Sequence, residues 1–288
     1  MLTGKGMYIW KIKNAAGGDG GAASTAALNA GLTHVLIKVL DGPWAYNQRP
    51  VYDGSGQLKG YKDDILKPFI QPFRDKGIQV WGWQYVYHLH PVQEAQAANS
   101  RVANLNLDGF IIDAETEAKH KNKEAARYMN RLDVGVPVAL SSYRYPILHQ
   151  ELPWGVYLGG CDLVMPQVYW EGSVNSGSQL AWSYKEYRDF LKTDLPYVPT
   201  GAAYARGSWH ASPDQVERFM DMASALELPA VNFYRWETAR DLPGVWEAIA
   251  RYDYGTQPPP PPPPPAEGIT ARLELAQGVY SGELYLEV

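Results

Sequence analysis

Asp113, Glu115 and Glu117 follow one another at alternate positions where an apolar run, Phe110, Ile111 and Ile112, comes to an end. The run predicts a buried strand. Strand side chains alternate faces, so Asp113 and Glu115 share one face if the extended backbone continues two residues further. Two carboxyls in one site push their pKa values apart, leaving one protonated while the other is ionised. That pairing suits acid chemistry on a glycosidic bond, where one group protonates the leaving oxygen and the other stabilises positive charge at the anomeric carbon. Lys38, inside another apolar run, is expected to pair with Asp113 or Asp41, because an unpaired ammonium there is costly.

Eight strand-like segments, at 7–12, 34–40, 79–87, 109–113, 137–141, 163–170, 197–203 and 230–236, alternate with helix-compatible stretches at 24–30, 65–76, 91–105, 121–131, 182–192, 212–226 and 244–252. Asp63 and Ser212 are expected helix caps, with Pro213 tolerated in the first turn. This alternation over some 250 residues predicts an α/β fold, a (β/α)8 TIM-type barrel spanning 1–255. Only 143–162 fits poorly, as an irregular helix, and a doubly wound open sheet is the alternative.

In a barrel the site lies at the C-terminal ends of the strands. Tyr85 and Tyr87 fall there after the third strand, Gln167, Tyr169, Trp170 and Glu171 after the sixth, Tyr204 and Arg206 after the seventh, and Tyr234, Arg235, Trp236 and Glu237 after the eighth. Ten tryptophans and twenty tyrosines exceed what a core needs, and aromatic faces with polar rims suit stacked sugar rings. The expected substrate-binding set is Tyr85, Tyr87, Gln167, Tyr169, Trp170, Tyr204, Trp236 and Glu237, and the expected partner is a polysaccharide. His88 and His90 have one-face spacing, but two residues do not make a metal site, and neither metal nor cofactor is expected.

At a formal charge of −5, without a Lys/Arg-rich block, the chain shows no general pull toward nucleic acid. The lone Cys161 excludes an intramolecular disulfide and is expected to be buried. No apolar stretch reaches membrane-spanning length and the N-terminus lacks a secretory pattern, so a soluble chain is expected, its compartment unassigned. Pro258–Pro265 predict an extended polyproline linker at 256–267. The apolar/polar alternation beyond it, at 268–288, predicts a short β-hairpin for docking or self-assembly.

Three stretches resemble glycoside hydrolase family 25 lysozymes. Leu32-Thr-His-Val-Leu-Ile-Lys-Val-Leu-Asp-Gly is similar to that family's second strand, Val80-Trp-Gly-Trp-Gln-Tyr-Val-Tyr with Glu94-Ala-Gln-Ala-Ala-Asn to its third strand and following helix, and Gly109-Phe-Ile-Ile-Asp-Ala-Glu to its catalytic fourth strand. The resemblance implies a TIM barrel that cleaves peptidoglycan, with Glu115 as proton donor and Asp113 assisting in the transition state. The family's first-strand Gly-x-Asp-x-Ser is replaced here by Gly6-Met7-Tyr8-Ile9-Trp10-Lys11, so Asp41 or Glu237 would have to supply the missing carboxylate. Other barrel hydrolases, including the chitinase-like ones, also carry fourth-strand acids and remain open. So do a non-catalytic glycan-binding barrel and a structural subunit of a phage or surface assembly.

Overall fold

Strands β1 (Gly4–Ile9), β2 (Leu32–Asp41), β3 (Gln79–Tyr85), β4 (Gly109–Asp113), β5 (Val138–Tyr143), β6 (Leu163–Val168), β7 (Thr200–Ala202) and β8 (Ala230–Tyr234) pair in parallel with their sequence neighbours. Because β1 pairs with both β2 and β8, the ring closes into a TIM barrel and the open-sheet alternative is excluded. These strands come from a computed structural model that describes residues 2–255, 269–275 and 278–284. Around the ring lie helices α1 (Gly20–Asn29), α2 (Leu66–Arg74), α3 (Pro91–Leu105), α4 (Asn122–Met129), α5 (Trp154–Leu158), α6 (Ser176–Asp189), α7 (Pro213–Ala225), α8 (Trp236–Asp241) and α9 (Val245–Arg251). None of the described helices is long and apolar enough to cross a membrane.

Two apolar cores follow from strand alternation. Leu36, Trp81, Ile111, Ala139, Leu163, Met165, Val198 and Ala230 point inward and fill the lower barrel. The residues between them, among them Val35, Ile37, Phe110, Ile112, Val164 and Phe233, point outward and pack under the helices, where Cys161 is also buried.

Close approach at the bottom of the barrel depends on Gly6. A Cβ there would stand 2.0 Å from His34 Nε2 and 2.6 Å from Asn232 Oδ1. Those two side chains hydrogen bond at 2.6 Å, and burial lowers the His34 pKa to about 4, so the ring is neutral and its N–H donates to the amide oxygen. Nearby, Lys5 Nζ donates to the carbonyls of Ile249 and Tyr252, both at 2.6 Å, and so satisfies the end of α9.

Several local expectations are corrected. β1 begins and ends three residues early, and Ile12–Asn14 form a 3-10 turn. β7 is reduced to three residues because Pro199, which has no N–H to donate, precedes it. The irregular helix expected at 143–162 is instead the end of β5, a 3-10 turn at Pro146–Leu148 and the short α5. Ser212 caps α7 through a capping box with Gln215, as expected. Asp63 caps nothing and pairs instead with Arg101.

The loop after β2 holds an unanticipated β ribbon. Trp44–Ala45 pair antiparallel with the end of β2, and Arg49–Tyr52 then pair with Leu58–Lys62. Asp53 closes the turn by accepting the N–H groups of Ser55 and Gln57, each at 2.9 Å. At the C-terminal end, Ile269–Leu275 and Gly278–Leu284 pair antiparallel, whereas the expected polyproline linker at 256–267 lies outside the described residues.

Gly6→Ala should destabilise the fold by about 2–3 kcal/mol, the usual cost of forcing atoms into a filled interior. Urea unfolding measures it, and an unchanged midpoint would contradict the close packing of His34 and Asn232.

Candidate active site

The alternation that fills the lower barrel with apolar side chains also lines its mouth with polar ones. On β4 the inward series is Ile111, Asp113 and Glu115. The ladder continues one residue past the strand end, since Ala114 N–H donates to Ser141 O at 3.0 Å. Glu115 leaves the regular strand conformation there, yet its carboxyl lines the same cleft as Asp113. From β6, Gln167 Nε2 donates to Asp113 Oδ1 at 2.8 Å and to Glu115 Oε1 at 3.0 Å, with Ser141 Oγ at 3.3 Å.

Burial pushes the Asp113 carboxyl well above the usual carboxylate range; the Glu115 charge adds to this and the Lys38 ammonium opposes it. Burial also raises Glu115, while hydrogen bonds from Gln167 and Asp113 pull it back down. The two carboxyls titrate as a unit. Both being raised, the pair holds a shared proton above the usual carboxylate range.

The cleft holds 680 Å³, a size typical of ligand sites. Tyr8, Trp83 and Tyr234 form its floor, with Tyr8 ring centroids 6.0 Å from Trp83 and 5.9 Å from Tyr234. Tyr169 packs 5.5 Å from Tyr204 and 5.8 Å from Tyr234 on one side, and Tyr85 lies 5.1 Å from Tyr87 on the other. Lys38 takes the second of its two expected partners, bonding Asp41 at 3.0 Å, with its ammonium over the rings of Tyr46 and Trp83. Glu117 also lines the cleft and accepts the Tyr85 hydroxyl, and Glu171 accepts from Tyr204 and from Arg206.

Of the expected set, Asp113, Glu115, Tyr85, Tyr87, Gln167, Tyr169 and Tyr204 meet in this cleft. Trp170 does not. With Gln167 and Tyr169 inward, alternation turns Trp170 outward, where it is buried against Phe219 and its indole N–H donates to Gln215 at 3.1 Å. Trp236 is also elsewhere, because the chain leaves β8 at Tyr234 and Trp236 opens α8, packed 4.8 Å from Trp246. Glu237 sits behind the cleft wall, accepting the Lys11 N–H at 3.2 Å, 3.7 Å from Arg235 Nε.

Tyr8, Trp10, Tyr46 and Trp83 join the cleft without having been marked as site residues. For Trp83 the signal was available, since it shares a strand face with Tyr85. Tyr46 carried none, because the β ribbon that brings it to the mouth has no strong strand pattern. His88 is structural: its ring bonds the Tyr157 hydroxyl, while Glu94 accepts from the backbone N–H groups of Tyr87 and His88, each at 3.2 Å, fixing the loop that carries Tyr87.

No protein-family model matches the chain, and no curated protein matches it. Solved structures do. The chain is similar to a chitinase from Chromobacterium violaceum ATCC 12472, with TM-score 0.61 and 10% identity over 86% of this chain and 98% of that one. It is also similar to the spore cortex-lytic enzyme SleL of Bacillus cereus, with TM-score 0.58 and 9% identity over 86% and 73%. An endo-β-1,4-mannanase from Thermotoga petrophila matches with TM-score 0.60 and 10% identity over 81% and 68%. The likeness is one of fold. These names bear out the barrel expected from the family 25 motifs without singling out that family.

Because Asp113 is held neutral in the fold and ionises readily once unfolded, its contribution to stability is present at low pH and declines as pH rises toward its raised native value. Asp113→Asn removes that penalty. The variant should gain more stability over wild type at pH 8 than at pH 5 in guanidinium unfolding, and an equal gain at both would refute the buried neutral carboxyl.

Proposed function

We propose that this barrel is a glycoside hydrolase acting on a polysaccharide of 2-acetamido sugars, of the peptidoglycan or chitin type. The observation that carries the reading is the Asp113–Glu115 pair bridged by Gln167 at the base of an aromatic cleft. The chitinase and the cortex-lytic enzyme that share the fold act, by their names, on such polymers and support it.

In this reading a sugar ring stacks on the cleft floor with its acetamido group against Asp113. The acetamido N–H donates to Asp113 and takes over the stabilising role of the shared proton, which passes to Glu115. Glu115 then protonates the glycosidic oxygen while the acetamido carbonyl oxygen attacks the anomeric carbon. The C–O bond to the leaving sugar breaks, and ionised Asp113 balances the positive charge of the resulting oxazolinium ring. Water, deprotonated by Glu115, opens that ring, which restores the acetamido group and returns the proton to the pair. Tyr169 and Gln167 are placed to hold the acetamido group.

Tyr8 on β1, in place of the family 25 acid, favours a second reading in which the barrel binds glycan without cleaving it. One experiment separates the two. Reducing-end release from chitin oligosaccharides and from purified peptidoglycan is expected for the wild-type protein, and Glu115→Gln should lower kcat by about 10²–10⁴-fold with binding retained. Binding without release by the wild type would establish the non-catalytic reading, and unchanged turnover in the variant would remove Glu115 from its role. The alkaline limb of the rate profile should fall well above the ordinary carboxylate range, because the raised pKa values keep the last proton on the pair; a limb near pH 4–5 would contradict this.

A further inference from the structure

The β ribbon after β2 leaves a row of large apolar side chains in water that nothing in the cleft chemistry uses. Trp44 is 74% exposed, Tyr52 59%, Leu58 45% and Tyr61 61%. The register explains why three of them lie together. Pro50 pairs with Tyr61 and, across a register shift after Val51, Tyr52 pairs with Leu58, so Tyr52, Leu58 and Tyr61 gather on the Pro50 side while Val51 and Gly60 pair on the other; Trp44 stands at the start of the ribbon. Val51 and Gly60 on that second face are partly covered, whereas the Tyr52–Tyr61 face is open.

The start of the ribbon adjoins the cleft. Trp44 pairs directly with Asp41, which lines the cleft and bonds Lys38, and Tyr46, two residues on, lines it as well. Arg101 fixes the approach by donating to the carbonyls of Val39 at 3.2 Å and Tyr46 at 3.1 Å and by pairing with Asp63 beyond the ribbon. Arg101 therefore holds the two ends of the ribbon together, with the Tyr46 end at the mouth. Exposed apolar surface of this kind marks an interaction site, and ring faces continuing from an aromatic cleft match what a polymer emerging from it would offer.

We infer that the Trp44–Tyr61 ribbon is a secondary binding platform for the same polysaccharide, stacking sugar rings beyond those held in the cleft, so that the protein is adapted to long chains rather than short oligosaccharides. The inference rests on the proposed glycan-cleaving cleft and adds the length of the substrate to it. Exposed ring faces meet pyranose faces without needing hydrogen-bond readout. The platform therefore contributes affinity for polymer while the cleft determines which bond reacts.

The test compares wild type with Trp44→Ala/Tyr61→Ala and, separately, Tyr52→Ala. Binding to glycol chitin and to solubilised peptidoglycan strands is followed by affinity electrophoresis, alongside turnover of a chromogenic chitobioside. These side chains are exposed, so thermal unfolding should be unchanged. Support is a loss of about tenfold or more in polymer affinity for the double variant, with chitobioside kcat and KM within about twofold of wild type. Wild-type polymer affinity in both variants would overturn the platform while leaving the cleft reading intact. Loss of concentration-dependent dimerisation or of vesicle binding, with polymer affinity unchanged, would overturn it in favour of a second copy or a lipid surface. A wild-type protein that neither binds these polymers nor turns over the chitobioside would overturn the cleft reading, and the platform with it.

Discussion

Gln167 reaches across from β6 to donate to both Asp113 and Glu115, passing the small Ser141 side chain of the strand between them. A larger residue at 141 would fill the space that the amide crosses. The bridge needs three strands in one register, with Asp113 opposite Ser141 and Tyr143 opposite Gln167. Register in a closed barrel is fixed collectively, so the packing of Trp81 against Gly109 and of His34 against Gly6, well below the mouth, also holds the acids in place.

The same bridge decides the electrostatics. Two carboxyls buried side by side cannot both remain ionised, and Gln167 supplies two donors without adding a charge that would do so for them. Lys38 is the nearest cation but is engaged with Asp41 and with ring faces. The pair is left with one shared proton and a strong dependence on what replaces it. In the proposed mechanism a ligand N–H aimed at Asp113 leaves the proton to Glu115, which would link binding to chemistry in a single step.

Much of this was legible in the sequence where one physical rule dominates. The eight-strand alternation, the inward pairing of Asp113 with Glu115 and the helix cap at Ser212 all follow from local sequence pattern and were anticipated. Trp170 was misplaced because its strand was read as a cluster of aromatic residues, whereas strict alternation from Gln167 sends it outward. Trp236 was misplaced because the end of β8 is set by the start of α8, a tertiary feature without a breaker residue in the sequence. The ribbon at 44–62 was missed because its strands are short and interrupted by glycine and proline. The position of the shared proton depends on burial depth, which spacing along the chain does not encode.

The measurement that bears most directly on this account is carbon-detected NMR titration of the Asp113 and Glu115 carboxyl groups, in wild type and in Gln167→Ala. The account predicts two linked steps in the wild type, one of them well above the ordinary carboxylate range and dominated by Asp113, with the coupling altered when the bridging amide is removed. Two independent titrations near pH 4, unchanged by Gln167→Ala, would contradict it.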